Sequence, residues 1–280
     1  MKIISVVGYK KSGKTSLVER LVKSLKVHGS VGTVKHLHEH SINTPGTDTW
    51  KHMQAGADIA VGVTKDELVK FSRENNLTAA LDELTNAGMD FGIVEGFKES
   101  NLTKIALGEV PAPNIVMQLD SSENADIDEI TRLVLNQPEY HTLGSLVKRV
   151  RRSKDIEKAG AIGTFTGIVR AVTGETRTEF LEFEEYSGIA RQKMDQICAE
   201  LRQKEGIIDV LMYHRTGIIP RGKDIVHIVV AAGHREQLFP VLSEAIERLK
   251  AEVPIWKKEH TLEGEWWVHD SPIKENFETQ

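Results

Sequence analysis

A single cysteine, Cys198, stands in 280 residues, so no internal disulfide can form, which fits a reducing compartment. No apolar run approaches the ~20 residues that a bilayer-spanning helix requires. The opening Met1-Lys2-Ile3-Ile4-Ser5-Val6-Val7-Gly8 is too short in its apolar stretch for a secretory leader and runs straight into a motif. A basic excess is also missing. The 36 Lys and Arg face 41 Asp and Glu, a net charge of −5, where a general nucleic-acid binder would be strongly basic. No internal repeat and no low-complexity segment interrupts the chain. These absences predict a soluble cytoplasmic protein without a membrane or nucleic-acid partner. What is present suffices for two cores. Forty per cent hydrophobic residues is ordinary for a globular chain, and at roughly 150 residues per domain the length predicts two domains.

The first half alternates strands with helices. Ile3 to Val7 is an apolar run suited to a buried parallel strand. Leu17, Val18, Leu21, Val22 and Leu25 then recur at helical spacing, and Gly29 gives a stop. Val31–Lys35, Phe91–Glu95 and Ile115–Leu119 read as strands, with helices expected over Thr78–Ala87 and Ile127–Leu135. That rhythm predicts a parallel α/β sheet of the P-loop NTPase type over residues 1–137. Asn136-Gln137-Pro138 reads as a boundary, and the basic run Lys148-Arg149-Val150-Arg151-Arg152 beyond it as a solvated helix face or linker.

Gly8-Tyr9-Lys10-Lys11-Ser12-Gly13-Lys14-Thr15 fits the phosphate-loop pattern G-x-x-x-x-G-K-[ST], after a strand and before a helix as the chemistry requires. Glycines let backbone amides turn toward phosphate oxygens, and the helix N-terminus adds unpaired donors and a favourable dipole. The nucleotide-binding candidates are Gly8, Lys10, Lys11, Ser12, Gly13, Lys14, Thr15 and Ser16. Lys14 is expected on the β- and γ-phosphates and the Thr15 hydroxyl on Mg²⁺. A second, acidic metal ligand is sought at a neighbouring strand end. Glu95, closing Phe91-Gly92-Ile93-Val94-Glu95, and Asp48 are the two candidates. His36, His38 and His40 alternate and would share one strand face, but no cysteine or matching histidine cluster accompanies them. A solvated or polar-site role is the expectation there.

The phosphate loop, Val34-Lys35-His36, Asp48-Thr49-Trp50 with Ala55-Gly56-Ala57, and Val94-Glu95-Gly96-Phe97-Lys98 together resemble the nucleotide-binding protein of molybdopterin-guanine dinucleotide biosynthesis. The resemblance implies GTP with Mg²⁺ as cofactor, weak GTPase activity, and a molybdopterin guanylyltransferase as partner. No Asn/Thr-Lys-x-Asp guanine-reading motif is present, so guanine preference rests on the resemblance alone.

The second half has another rhythm. Strands are expected over Ala161–Arg170, Glu179–Phe183, Val210–His214 and Ile225–Ala231. Helices are expected over Ile189–Lys204 and Gln237–Lys250, with Pro240 in the first turn of the latter. Antiparallel strands with interspersed helices predict an α+β domain over residues 141–280. Basic groups recur at the element ends: Arg170, His214-Arg215, His234-Arg235, and the pair Lys250 and Lys257 around Pro254-Ile255-Trp256. One such group alone is more often a surface charge. A site for a phosphorylated anion needs several, Arg for bidentate contact and Lys as a mobile charge. Cys198 falls in an apolar helical row with Ala190, Met194, Ile197 and Leu201 and is read as core, so sulfur chemistry has no carrier in this chain. Trp256, Trp266 and Trp267 are read as core or subunit-interface packing, with stacking on an aromatic ligand as the alternative.

Phe165-x-Gly167-x-Val169-Arg170, Leu181-x-Phe183-Glu184-Glu185-Tyr186, His214-Arg215-x-Gly217, His234-Arg235 and Leu249-Lys250-x₃-Pro254-Ile255-Trp256-Lys257-Lys258-Glu259 resemble, in order, the catalytic large subunit of molybdopterin synthase. The resemblance implies conversion of cyclic pyranopterin monophosphate to molybdopterin, with sulfur arriving as thiocarboxylate on a small ubiquitin-like subunit. It implies Lys250 and Lys257 as catalytic residues and Arg170, His234, Arg235 and Lys258 as substrate-binding ones. It also implies a homodimer, and no tightly bound cofactor in this half. Two other readings compete at this stage. One is a nucleotide-switched adaptor that binds a pterin or a partner without synthase activity. The other is a self-contained small-molecule kinase.

Overall fold

The computed structural model describes residues 1–37, 41–174, 176–185, 188–261 and 264–268. The chain divides after Tyr140 into two compact units, Met1–Tyr140 and His141–Gln280.

The first unit runs β1 (Lys2–Gly8), α1 (Lys14–Leu25), β2 (Val31–Lys35), α2 (Asp48–Gln54), β3 (Ile59–Val63), β4 (Leu68–Ser72), α3 (Leu77–Ala87), β5 (Phe91–Glu95), β6 (Lys104–Leu107), β7 (Ile115–Leu119) and α4 (Ile127–Leu135). Five strands form a parallel sheet in the order β2-β5-β1-β6-β7, and β3 pairs with β4 in a separate antiparallel hairpin. The apolar run of β1 follows from burial on both faces. Ile4 and Val6 pack with Leu17, Leu21 and Leu25 of α1 and Ile130 and Val134 of α4, while Ile3 packs with Leu81 of α3 and Val94 on the other face. Helix starts are set by side chains that satisfy the first amides. Asn76 accepts from Ala79 N at 2.9 Å, and Asp126 accepts from Asp128 N and Glu129 N at 3.0 Å each. Tyr140 ties the end of this unit to its start, its N donating to the Met1 carbonyl at 2.8 Å.

The second unit runs α5 (Leu143–Val150), a 3-10 turn at Ile156–Lys158, β8 (Ala161–Ile168), β9 (Val172–Thr173), β10 (Thr176–Glu185), α6 (Ile189–Leu201), β11 (Ile207–His214), β12 (Gly217–Pro220), β13 (Asp224–Ala232), α7 (Arg235–Glu252), β14 (Ile255–Thr261) and β15 (Gly264–Val268). One antiparallel sheet is ordered β11-β13-β8 and another β12-β10-β14-β15, with β9 beside β10. Ile228 and Val230 of β13 face the buried side of α6 and α7, and Val229 and Ala231 face Leu146 and Val150 of α5. With those two residues inward, Lys148 and Arg149 lie exposed on the solvent side of α5.

Two expectations are corrected here. Helix α7 begins at Arg235 rather than Gln237, because the His234 amide donates to Gln237 Oε1 at 3.1 Å and fixes the start two residues early. Pro240 therefore sits in the second turn and has no N–H to offer the Glu236 carbonyl. Of the two packing roles expected for the three tryptophans, core or subunit interface, the core role is the one corrected. Trp256, Trp266 and Trp267 are 46%, 40% and 47% exposed, since β14 and β15 form the outer hairpin of their sheet.

Candidate functional site

The phosphate loop joins β1 to α1, with Gly13 as the N-terminal cap residue of α1 at φ +89°. A Cβ at Gly13 would press into the Ser122 hydroxyl, so only glycine allows both this turn and that approach. Ser122 is held in place from behind, since the Arg20 guanidinium donates to the carbonyls of Ser122, Glu123 and Ala125. No side chain caps the first amides of α1, which leaves them for an anion. The Ser12 hydroxyl is buried in the loop without a hydrogen-bond partner among the described residues. Lys14 Nζ folds back on the loop, 3.0 Å from the Gly8 carbonyl and 2.6 Å from that of Tyr9.

Sheet order brings the loop and the end of β5 together. Thr15 Oγ1 lies 3.2 Å from both carboxylate oxygens of Glu95, which is 8% exposed. Lys35, in register with Glu95 across β2 and β5, places Nζ 3.2 Å from Glu95 Oε1 and 3.3 Å from Thr15 Oγ1. Asp48 opens α2, and its exposed carboxylate pairs with Lys51 at 3.3 Å. His36 stacks on Phe97 with centroids 4.1 Å apart, and Phe97 sits at φ +53°. His38 and His40 lie outside the described residues. Among the described residues no group of three or more His, Cys, Asp or Glu is arranged to hold a metal. A hydroxyl and one carboxylate are nevertheless a set that suits Mg²⁺, which keeps waters and takes its remaining oxygens from phosphates.

In the second unit the basic residues fall into separate places. His214 ends β11 and packs edge-on against Phe183 of β10, centroids 4.9 Å apart. Its Nδ1 bonds the Arg215 carbonyl at 2.7 Å, which leaves Nε2 as the acceptor nitrogen of the neutral ring. Burial pushes its pKa down to about 4, opposed by that carbonyl bond and helped by the nearby charge of Lys257. Lys257 pairs with Phe183 across β14 and β10, so Phe183, His214 and Lys257 form one group. Lys258 faces the other side of the strand. There it pairs with Glu265 at 2.5 Å and stands 5.9 Å over the Trp267 ring. Lys250 lies in the last turn of α7, 54% exposed, with Glu247 3.9 Å away. His234 and Arg235 lie at the opposite end of the same helix, both exposed, with Arg235 on Glu236 at 3.2 Å. Arg170 is exposed just beyond β8. Cys198 is buried, and its thiol is pushed up to about 12 by that burial, so it stays protonated and inert. The sequence pattern did not single out Arg20 or Ser122 and gave Lys35, part of the Val34-Lys35-His36 motif, no role; each acquires its contacts only through strand register or long-range packing.

Fold and loop together define a phosphate-loop α/β domain joined to an antiparallel α+β domain. The sequence model of molybdopterin guanine dinucleotide synthesis protein B, MobB, matches residues 3–124, and that of the MoaE protein matches residues 137–252. A Haloferax volcanii protein described as a probable molybdopterin synthase is 38% identical over 273 residues, covering 96% of this chain and 100% of that protein. The molybdopterin synthase catalytic subunit of Bacillus subtilis is 38% identical over 142 residues, 51% of this chain and 84% of that subunit. A MobB protein homolog from Bacillus stearothermophilus, solved by X-ray crystallography, is 23% identical over 49% of this chain and 100% of that one, at TM-score 0.38. The chain belongs to the molybdopterin synthase family, in the form that carries a MobB-type domain ahead of a MoaE-type domain. It is an enzyme of molybdenum cofactor biosynthesis. No helix among the described residues is long and apolar enough to cross a membrane.

Proposed function

We propose that residues 141–280 convert cyclic pyranopterin monophosphate to molybdopterin in the cytoplasm, taking sulfur from a thiocarboxylated, ubiquitin-like small subunit. The observation that carries this reading is the placement of Lys250 and Lys257 on either side of the turn between α7 and β14, with Lys257 beside the neutral imidazole of His214. Two lysines on separate elements can hold an anionic tail and an anionic substrate at once. Lys250 and Lys257 are the catalytic pair, and Arg170, His234, Arg235 and Lys258 bind the pterin and its phosphate. The inert Cys198 supports an external source of sulfur.

Arg235 and Lys250 lie fifteen residues apart on one helix, about 22 Å along its axis. That exceeds the length of a tricyclic pterin phosphate. A second copy of the chain, bringing its own His234 and Arg235 beside this Lys250, fits so wide a spacing and supports a homodimer. Lys258, on the other face of β14 from Lys257, fits a contact to the second copy or the outer part of the substrate.

Residues 1–137 bind GTP with Mg²⁺ and assist the guanylyltransferase that adds GMP. The uncapped α1, the Ser12 hydroxyl that has no hydrogen-bond partner among the described residues, and the Thr15–Glu95 oxygens support this role. A bound Mg²⁺ would offset phosphate charge there. Thr15 and Glu95 would hold it, whereas Asp48, engaged with Lys51, would have to leave its partner to join them.

The test supplies the chain with thiocarboxylated small subunit and measures molybdopterin formation, with and without GTP. Lys250→Ala is expected to lower the rate by roughly a hundredfold or more, the scale of losing a positioned catalytic group. An unchanged rate in that variant removes Lys250 from the chemistry.

A further inference from the structure

Lys35 belongs to none of the roles above, yet it occupies the centre of the nucleotide site. Its ammonium touches Glu95 Oε1 at 3.2 Å and Thr15 Oγ1 at 3.3 Å, and these two oxygens are themselves 3.2 Å apart. One cation thus bridges the same pair of side chains that would ligate a divalent ion. Glu95 is 8% exposed, and a carboxylate so buried is costly without a counter-charge. The lysine side chain, by contrast, is 51% exposed, so its head can retract into water without leaving a hole.

Resting on the Mg²⁺–GTP reading of the first domain, we propose that Lys35 is a built-in counter-ion that holds the metal site of the nucleotide-free protein and is displaced by the divalent ion arriving with the triphosphate. The consequence is coupling between the two ligands. Metal alone must evict an ammonium from its two oxygens, and gains little. Metal with triphosphate brings negative charge that gives both cations a partner. The site then favours the metal–nucleotide complex over free metal, and the coupling free energy is reciprocal.

The experiment uses the full chain. Binding of Mn²⁺ is followed by the loss of its free-ion electron paramagnetic resonance signal, with and without a non-hydrolysable GTP analogue, and binding of a fluorescent GTP analogue is measured in parallel. In the absence of nucleotide, Lys35→Met is expected to bind Mn²⁺ about tenfold or more tightly than the unmodified chain, because a like charge has left contact distance. Lys35→Arg, which keeps the charge, is expected to stay near the unmodified value. The gain in Mn²⁺ affinity on adding the GTP analogue should shrink in Lys35→Met. Lys35→Gln gives the same comparison where Lys35→Met folds poorly by circular dichroism. Equal or weaker Mn²⁺ binding by the folded neutral variants overturns the role of Lys35. A different result, in which the unmodified chain binds the fluorescent analogue no better with Mn²⁺ than without, removes the metal–nucleotide reading and the counter-ion role with it.

Discussion

At the scale of single residues, His214 joins stability to pH. Its folded pKa, pushed down by burial to about 4, lies below the ordinary 6.5, so the unfolded chain takes up the proton more readily. The stabilisation from the neutral ring is therefore complete above pH 6.5 and is lost as the pH falls from 6.5 toward 4. The shift sets an upper limit of roughly 3 kcal/mol on that loss. Urea unfolding of the second domain across this range should show a falling midpoint, and His214→Gln should flatten the slope between pH 6.5 and pH 4. An identical slope in the variant would assign the acid sensitivity to other groups. Lys257 makes the same point from the other side. Its charge helps keep the neighbouring imidazole neutral, so the acceptor nitrogen of His214 stays available at neutral pH.

At the scale of elements, the close approach of β8 to α7 depends on a missing side chain. A Cβ on Gly163 would run into the δ-methyl of Leu238, which is itself 2% exposed and has nowhere to go. Gly163→Ala is expected to cost about 1–3 kcal/mol by overpacking. Leu238→Ala in the same chain should recover part of that cost, so a denaturation double-mutant cycle should give a coupling of about 0.5 kcal/mol or more. Additive costs would mean the two do not meet. Elements of this kind were legible where a short apolar run or helical spacing of apolar residues marks them. Val31–Lys35, Phe91–Glu95, Ile115–Leu119 and Ile127–Leu135 fall where the pattern puts them. Others left no such trace. Strand β6 is four residues long and opens with Lys104, a buried lysine whose Nζ donates to the Ser100 and Leu102 carbonyls. Strand β14 reads Ile-Trp-Lys-Lys-Glu-His-Thr, and becomes a strand through pairing with β10 and β15, where Lys258 meets Glu265 and His260 meets Glu182. The site divides in the same way. The phosphate loop is a local word in the sequence and is found by reading. Lys35 acquires its meaning from register with a residue sixty positions away, and no local pattern carries that.

At the scale of the whole molecule, each unit carries its own buried clusters among the described residues. The second unit nevertheless leaves its proposed site incomplete. His234 and Arg235 stand at the first turn of α7 and Lys250 at its last, and the rigid helix between them fixes their separation at about 22 Å. A pocket built at one end of α7 holds only one of the two groups from its own chain. In a two-fold dimer, the first turn of one α7 and the last turn of the other can face a common pocket, and symmetry then yields two such pockets. The prediction is complementation between two inactive chains. Arg235→Ala and Lys250→Ala homodimers should each make little molybdopterin. Mixed by co-refolding, half of the dimers are heterodimers, and each of these has one pocket with both groups intact and one with neither. The mixture should regain about a quarter of the unmodified rate. If both groups served the same substrate within one chain, every pocket in the mixture would lack one of them and mixing would restore nothing.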